Sequence, residues 1–224
     1  MINKELQKRI LSSVFLIPVS FFFIIQGSYT FIFFLSLIFF VTGSEWFKMT
    51  KNRDLLRIFG LFFLFFSFFS SVYLRQYTGL NFFLFLITVC IFTDIGGYFF
   101  GKIIKGPKLT KISPKKTYSG VFGSFLISLL FGLIYIKYLG KKSRIILETD
   151  PAFIIILILF ISLVSQIGDL IISYFKRKAK LKDTGKILPG HGGFLDRIDG
   201  IIFVMPITYL CVLPILINKL NLIK

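Results

Sequence analysis

Two aspartates three residues apart, Asp196 and Asp199, would on a helix turn both carboxylates to one side. Such a pair repels itself unless a cation or an arginine neutralises it. Arg197 stands between them but projects about 100° away on an ideal helix. A hard divalent cation such as Mg²⁺ suits the pair better, since it is usually held by one or two carboxylates plus substrate phosphates. Capping of a helix start would explain one of the two acids better than both. Upstream, Gln166, Asp169, Ser173 and Lys176 follow spacings of three, four and three, and so lie along one helical face. That face carries an amide, a carboxylate, a hydroxyl and an ammonium. It suits a polar seam between helices or a site for a charged ligand, and the spacing alone leaves both open.

Between these acids lies Leu188-Pro189-Gly190-His191-Gly192-Gly193-Phe194, which holds the only histidine of the chain. Glycines around one histidine allow the backbone to approach a ligand closely, and their N–H groups can form an anion-binding nest. Basic loops flank it. One contains Lys176, Arg177, Lys178, Lys180, Lys182 and Asp183; the other runs from Gly101-Lys102 to Ser113-Pro114-Lys115-Lys116-Thr117 behind a further acid, Asp94. Lys178 and Lys180 are explained by contact with anionic lipid headgroups. The rest assemble into a polyphosphate-plus-metal site, with cations for phosphate charge and carboxylates for Mg²⁺. No Walker A, GxGxxG or GxSxG pattern occurs, and one histidine with two cysteines in apolar runs argues against zinc.

The elements that must position these residues are apolar. Of 224 residues 55% are hydrophobic and only 17% charged, with 31 Phe, and the mean hydropathy is +0.83. A soluble globular domain, a disordered chain and a disulfide scaffold are all excluded. The net charge of +17 in such a chain points to anionic lipid or a phosphorylated substrate, and nucleic acid is set aside. About seven spanning helices are expected, over residues 10–26, 29–47, 58–74, 80–99, 121–136, 152–175 and 198–217. The first follows a basic start and is read as a retained helix rather than a signal peptide. With the N-terminus in the cytoplasm, 20 of the 27 Lys and Arg fall on the inner side, which favours N-terminus in and C-terminus out. The loop with Lys141, Lys142 and Arg144 fits this poorly. The ionisable residues at membrane depth then gather at the cytoplasmic face, and such residues are functional candidates. Residues 1–93 form an N-terminal helical part, and 94–224 a part that carries the chemistry.

From Ser173 to Asp199 the chain reads SYFKRKAKLKDTGKILPGHGGFLDRID. This resembles the signature of the phosphatidate cytidylyltransferase (CDP-diacylglycerol synthase) family at every fixed position: Ser, Lys-Arg, Lys-Asp, Pro, His-Gly-Gly, Asp-Arg and Asp. Gly168-Asp169, the segment from Asp94 to Lys102, Ser113-Pro114-Lys115-Lys116-Thr117 with Gly120, Arg9-Ile10 with Pro18, and Glu45-Trp46 are similar to further family segments. Ile95 stands where the family has a small residue. One helix separates Trp46 from the helix of Asp94, where longer members have about three. Loss of a pair keeps the downstream orientation.

The resemblance implies condensation of CTP with phosphatidic acid to CDP-diacylglycerol and pyrophosphate, in a bacterial-type cytoplasmic membrane with the site facing the cytoplasm. Carried over by position, Asp169, Asp196 and Asp199 would hold Mg²⁺, with a monovalent cation such as K⁺ beside it. Ser173, Lys176 and Arg177 would contact phosphate, Lys182 and Asp183 are motif positions, and His191 with Gly192 and Gly193 would line the site. Asp94, Lys102, Ser113, Lys116 and Thr117 would bind nucleotide or order the loop over it. The partners implied are CTP, phosphatidic acid and membrane lipids, and a homodimer is an assembly open to it. A CTP-dependent polyprenol or phytol kinase would share the CTP site, but the His-Gly-Gly signature points away from it. A CDP-alcohol phosphotransferase fails where its motif needs Ala-Arg and this chain has Phe203-Val204. An ion-coupled transporter would place its acids near the midplane.

Overall fold

The computed structural model describes residues 4–51, 53–110, 113, 115–190 and 192–214. The described chain is helical, with no strand: α1 (Lys4–Gln26), α2 (Ser28–Met49), α3 (Asp54–Tyr77), α4 (Gly79–Ile103), α5 (Tyr118–Leu139), α6 (Arg144–Glu148), α7 (Pro151–Lys178), α8 (Leu195–Ile198) and α9 (Ile201–Ile207). Five are long and apolar enough to cross a membrane: α2, α3, α4, α5 with its following turn (Tyr118–Lys142), and α7. The apolar stretches Leu11–Gln26 and Ile201–Val212 are shorter. The chain is an all-α integral membrane protein. Large side chains such as Phe33, Phe40, Phe59, Phe62 and Phe65 lie on the outer surface of α2 and α3, where an apolar solvent suits them.

Local chemistry sets the helix ends. Thr117 caps α5 by accepting from Gly120 N–H, and Asp150 caps α7 by accepting from Ala152 N–H with Pro151 in the first turn. Hydroxyls inside the spans turn back on their own helix. Thr42, Thr50, Ser70, Thr78 and Thr93 donate to the carbonyls four residues earlier, which satisfies them where water is absent.

Two differences from the expected spans have physical causes. The segment from 198 onward is not one helix. α8 ends at Ile198 and α9 begins at Ile201; Pro206 has no N–H to give, and the winding widens to a π turn over Thr208–Val212. The poorly fitting loop with Lys141, Lys142 and Arg144 contains α6, which buries Ile145 and Ile146 and pairs Arg144 with Glu148 at 2.7 Å.

The core runs through α2, α4 and α7, with Phe31, Phe85, Leu86, Ile158 and Ile161 at its centre. A second cluster, Trp46, Met49, Leu64, Ile172, Leu195 and Ile202, lies beneath the polar end. α4 and α5 are the tightest pair. A Cβ on Gly96 would come within 2.4 Å of the Gly123 carbonyl oxygen, so only glycine lets the backbones approach this closely. Ser124 Oγ bonds Thr93 O across the seam at 2.8 Å. This hairpin holds Asp94 and the loop to Thr117 against α7.

Candidate active site

A cavity of about 470 Å³ opens between α4, α5, α7 and the loop before α5, lined among others by Thr93, Asp94, Ser113, Lys116, Gln166 and Asp169. The face expected on α7 is present and does two jobs. Its Asp169 reaches the cavity, where Oδ2 pairs with Lys116 Nζ at 2.5 Å and Oδ1 accepts from Ser173 Oγ at 3.3 Å. Asp199 is 9% exposed, shares a hydrogen bond with Asp169 and lies within electrostatic reach of Asp94 and Lys176. Asp94 in turn feels Asp169, Lys116 and Arg197. Three carboxylates thus lie within electrostatic reach of one another and two of them touch, and a shared proton or a cation would relieve their repulsion beyond what Lys116 offsets.

Two turns beyond Asp169 on the same face of α7, Lys176 pairs with the other aspartate. Its Nζ donates to Asp196 Oδ1 at 2.7 Å, with both side chains largely buried. Asp196 Oδ2 accepts from Thr184 N–H at 2.8 Å, and from Thr184 Oγ1 and Gly193 N–H at 3.0 Å each. Burial pushes the Asp196 carboxyl up, but the Lys176 ammonium and the Thr184 and Gly193 N–H groups outweigh it and hold it below its ordinary value. The parallel pair expected from the three-residue spacing is therefore split: Asp196 is satisfied by Lys176 and the loop, while Asp199 turns to Asp169.

The glycine loop does form a nest, and the anions in it are the protein's own. Gly193 N–H serves Asp196, while the Phe194 and Leu195 N–H groups donate to Glu45 of α2 at 2.9 and 2.8 Å. A Cβ on Gly193 would lie 2.0 Å from Thr184 Oγ1 and 2.7 Å from both Glu45 oxygens. The glycine is needed for approach to these internal groups. The loop also meets α1, where Ser12 Oγ donates to Pro189 O at 3.2 Å.

Similarity to known proteins fixes the family of the chain. The cytidylyltransferase family model matches residues 55–214. This chain belongs to that family. It is 35% identical over 217 residues to the phosphatidate cytidylyltransferase of Rickettsia bellii, covering 92% of this chain and 90% of that one. It is 40% identical over 130 residues to the phosphatidate cytidylyltransferase of Staphylococcus epidermidis, covering 58% of this chain and 48% of that one. It is 39% identical over 154 residues to that of Brucella suis, covering 67% and 54%. The aligned stretch thus spans about half the length of the last two relatives.

Within this member of the cytidylyltransferase family, the other expected site residues fall into place unevenly. Ser113 and Lys116 line the cavity together with Asp94 and Asp169. Ser173 is buried on the α7 face. Thr117 is the α5 cap. Lys102 is exposed and turns to Tyr98, with Nζ 3.3 Å from its hydroxyl. Arg177 is exposed and donates to Leu181 O at 2.9 Å, closing the end of α7. Lys182 and Asp183 are exposed. Gly192 takes φ +86, and a Cβ there would meet Asp196 Oδ2 at 3.0 Å and Asp183 Cβ at 3.1 Å. His191 lies outside the described residues. Lys178 is exposed over the Tyr174 ring at 5.6 Å. Lys178→Ala should therefore change kcat/KM less than about threefold, within what a surface charge contributes; a thousandfold loss in steady-state assays would give it a place in the site.

Thr93, Ser124 and Lys115, which line the cavity, and Thr184, which joins two carboxylates, were not among the expected site residues. Glu45 entered only through the resemblance. An acid inside an apolar span is itself a signal, but its partners lie some 140 residues away and no local spacing reveals them.

The donor set suits a hard cation. The carboxylates of Asp94 and Asp169 line the cavity among hydroxyl and amide oxygens, and Asp169 is in contact with Asp199. Among the described residues no three acidic, histidine or cysteine side chains form a ready-made metal cage.

Proposed function

We propose that this chain transfers a cytidylyl group from CTP to phosphatidic acid. A phosphate oxygen of the lipid attacks the α-phosphorus of CTP, the bond from that phosphorus to the bridging oxygen breaks, and pyrophosphate leaves with the electron pair. CDP-diacylglycerol is the other product. The observation that carries this reading is a cavity at the polar end of an apolar bundle, lined by Asp94, Asp169 and Lys116, with Asp169 paired to Lys116 and in contact with the buried Asp199, in a chain aligned over 92% of its length with a protein of that activity's name.

The chain's own groups neutralise and position. Lys116, a lining residue now paired with Asp169, would take up phosphate charge in its place. Ser173 donates from the α7 face. Lys176, held by Asp196, supplies a fixed positive charge beside Asp199. The Ser113–Thr117 loop covers the nucleotide, and Arg177, Lys182 and Lys102 make a basic approach to it. Gly192 and Gly193 fit the loop closely around Asp196, and His191 is a candidate residue of the site. Asp169 and Asp199, with Asp94 near them, would hold Mg²⁺, which would supply charge to neutralise the phosphates; K⁺ would be the second cation in this reading. Asp196, expected as a third ligand, serves instead through Lys176.

In the same reading the Leu11–Gln26 and Ile201–Val212 stretches complete seven passes, with the N-terminus and the site in the cytoplasm and the C-terminus outside. The membrane is the bacterial cytoplasmic one. Residues 94–224 carry the chemistry, 1–93 support it, and two copies pair as a homodimer. The test is a detergent-micelle assay with labelled CTP, phosphatidic acid and Mg²⁺, with and without EDTA. Production of CDP-diacylglycerol and pyrophosphate that stops on chelation is expected. A folded, monodisperse sample that gives neither product, yet phosphorylates a polyprenol, would overturn the acceptor.

A further inference from the structure

Glu45 lies upstream of the span matched by the family model, on α2, and is fully buried. An ionised side chain in a spanning helix is costly unless its oxygens are satisfied. Among the described residues, every donor it receives comes from one distant segment. Oε1 accepts from Phe194 N–H at 2.9 Å; Oε2 accepts from Leu195 N–H at 2.8 Å and from Thr184 Oγ1 at 3.0 Å. The segment is shaped to receive it, since a Cβ on Gly185 would fall 2.5 Å from Oε1 and one on Gly193 would fall 2.7 Å from both oxygens. The helix that presents Glu45 is itself pinned to α7, because the neighbouring Trp46 packs edge-on against Phe175 with ring centroids 5.2 Å apart.

Thr184 Oγ1 also sits 3.0 Å from Asp196 Oδ2, and Asp196 Oδ1 holds Lys176 Nζ at 2.7 Å. A continuous chain of contacts therefore runs from Glu45 through Thr184 and Asp196 to Lys176. The two N–H groups that Glu45 accepts begin α8, the turn of helix that carries Asp196 and leads into Asp199. We propose that Glu45 is a positioning residue of the active site, which docks the Thr184–Leu195 segment on α2 and so sets the place of the Asp196–Lys176 pair and of Asp199. The proposal rests on the cytidylyl-transfer reading for its catalytic consequence. It makes the N-terminal helices part of the catalytic machinery, and Glu45 touches no substrate.

Glu45→Gln separates this role from simple filling of space. Glutamine has the same size, but one oxygen becomes an NH₂ group. Whichever way the amide turns, a donor faces the N–H of Phe194 or of Leu195. The expected result is a fall in kcat of tenfold or more with KM for CTP changed less than threefold, because Lys176 and Asp199 act on charge that develops in the transition state. Hydrogen exchange at Phe194 and Leu195 should speed up at least tenfold in Glu45→Gln, and this readout does not depend on turnover. Unchanged kcat in Glu45→Gln, or a lowered kcat with exchange at the two amides unchanged, would overturn the proposal. A wild type without cytidylyltransferase activity, whose two amides are still released by Glu45→Gln, would refute the reaction and sustain the docking.

Discussion

Asp199→Asn should lower kcat/KM at least about a thousandfold and leave the melting temperature unchanged or raised. A thousandfold is about 4 kcal/mol of transition-state stabilisation, the scale of losing a preorganised charge at a transferring phosphoryl group. The stability half of the expectation comes from the resting structure. Asp199 is buried, touches Asp169 and lies within reach of Asp94, so three acidic groups are crowded where solvent screening is weak. Asparagine has the same shape, can donate to Asp169, and cannot ionise. A site that loses activity while gaining stability is built for a ligand rather than for the fold. Turnover within tenfold of wild type would remove Asp199 from the cation platform. A large drop in melting temperature alongside the lost activity would make it a structural residue.

How much of this was legible in the sequence depends on the range of the interaction. The α7 face could be read because Gln166, Asp169, Ser173 and Lys176 are one helix and its period fixes their side. The five long spans could be read because each is a local run of apolar residues. The glycine loop was read as a nest, which it is, but the anion inside it was not. That anion is Asp196 on one side and Glu45 on the other, and Glu45 arrives from a helix that sequence distance hides. The same cause split Asp196 from Asp199. Their common spacing suggested a common partner, yet Lys176 and Thr184 compete for one and Asp169 for the other. The segment after Ile198 looked like one apolar helix because hydropathy does not register the turn at Asp199-Gly200 or the widened winding after Pro206.

α7 links the two charge systems. Its Asp169 and Ser173 serve the cavity, and one turn later its Lys176 serves Asp196. Lys116, from the loop before α5, is the counter-charge on the cavity side. An incoming polyphosphate with its cation would exchange partners with Lys116 and Asp169 at the surface. The Lys176–Asp196 pair is less exposed and its oxygens are fully engaged, so it is the fixed reference against which that exchange occurs.

That distinction makes Asp196→Ala behave differently from Asp199→Asn. Removing Asp196 leaves the Lys176 ammonium buried without its partner and strips Thr184 and Gly193 of their acceptor. Breaking a buried pair in this way costs about 3–5 kcal/mol, so the melting temperature should fall by several degrees while turnover drops at least about a hundredfold through the displaced Lys176. A residue acting only as a metal ligand would lose turnover with little loss of stability, and that outcome would restore Asp196 to the cation. The pH dependence gives a second check. Asp196 sits below its ordinary value in the folded protein because of Lys176 and the two N–H groups, against the upward push of burial. Its contribution is then fully present above the unfolded value of about 4 and is lost only as pH falls through the lowered folded value. Thermal unfolding at successive pH should show a wide gap between wild type and Asp196→Ala at pH 7 that closes only below about pH 4. A gap that stays constant into acid would mean that the carboxylate's charge does not hold the loop, and that the loss comes from packing alone.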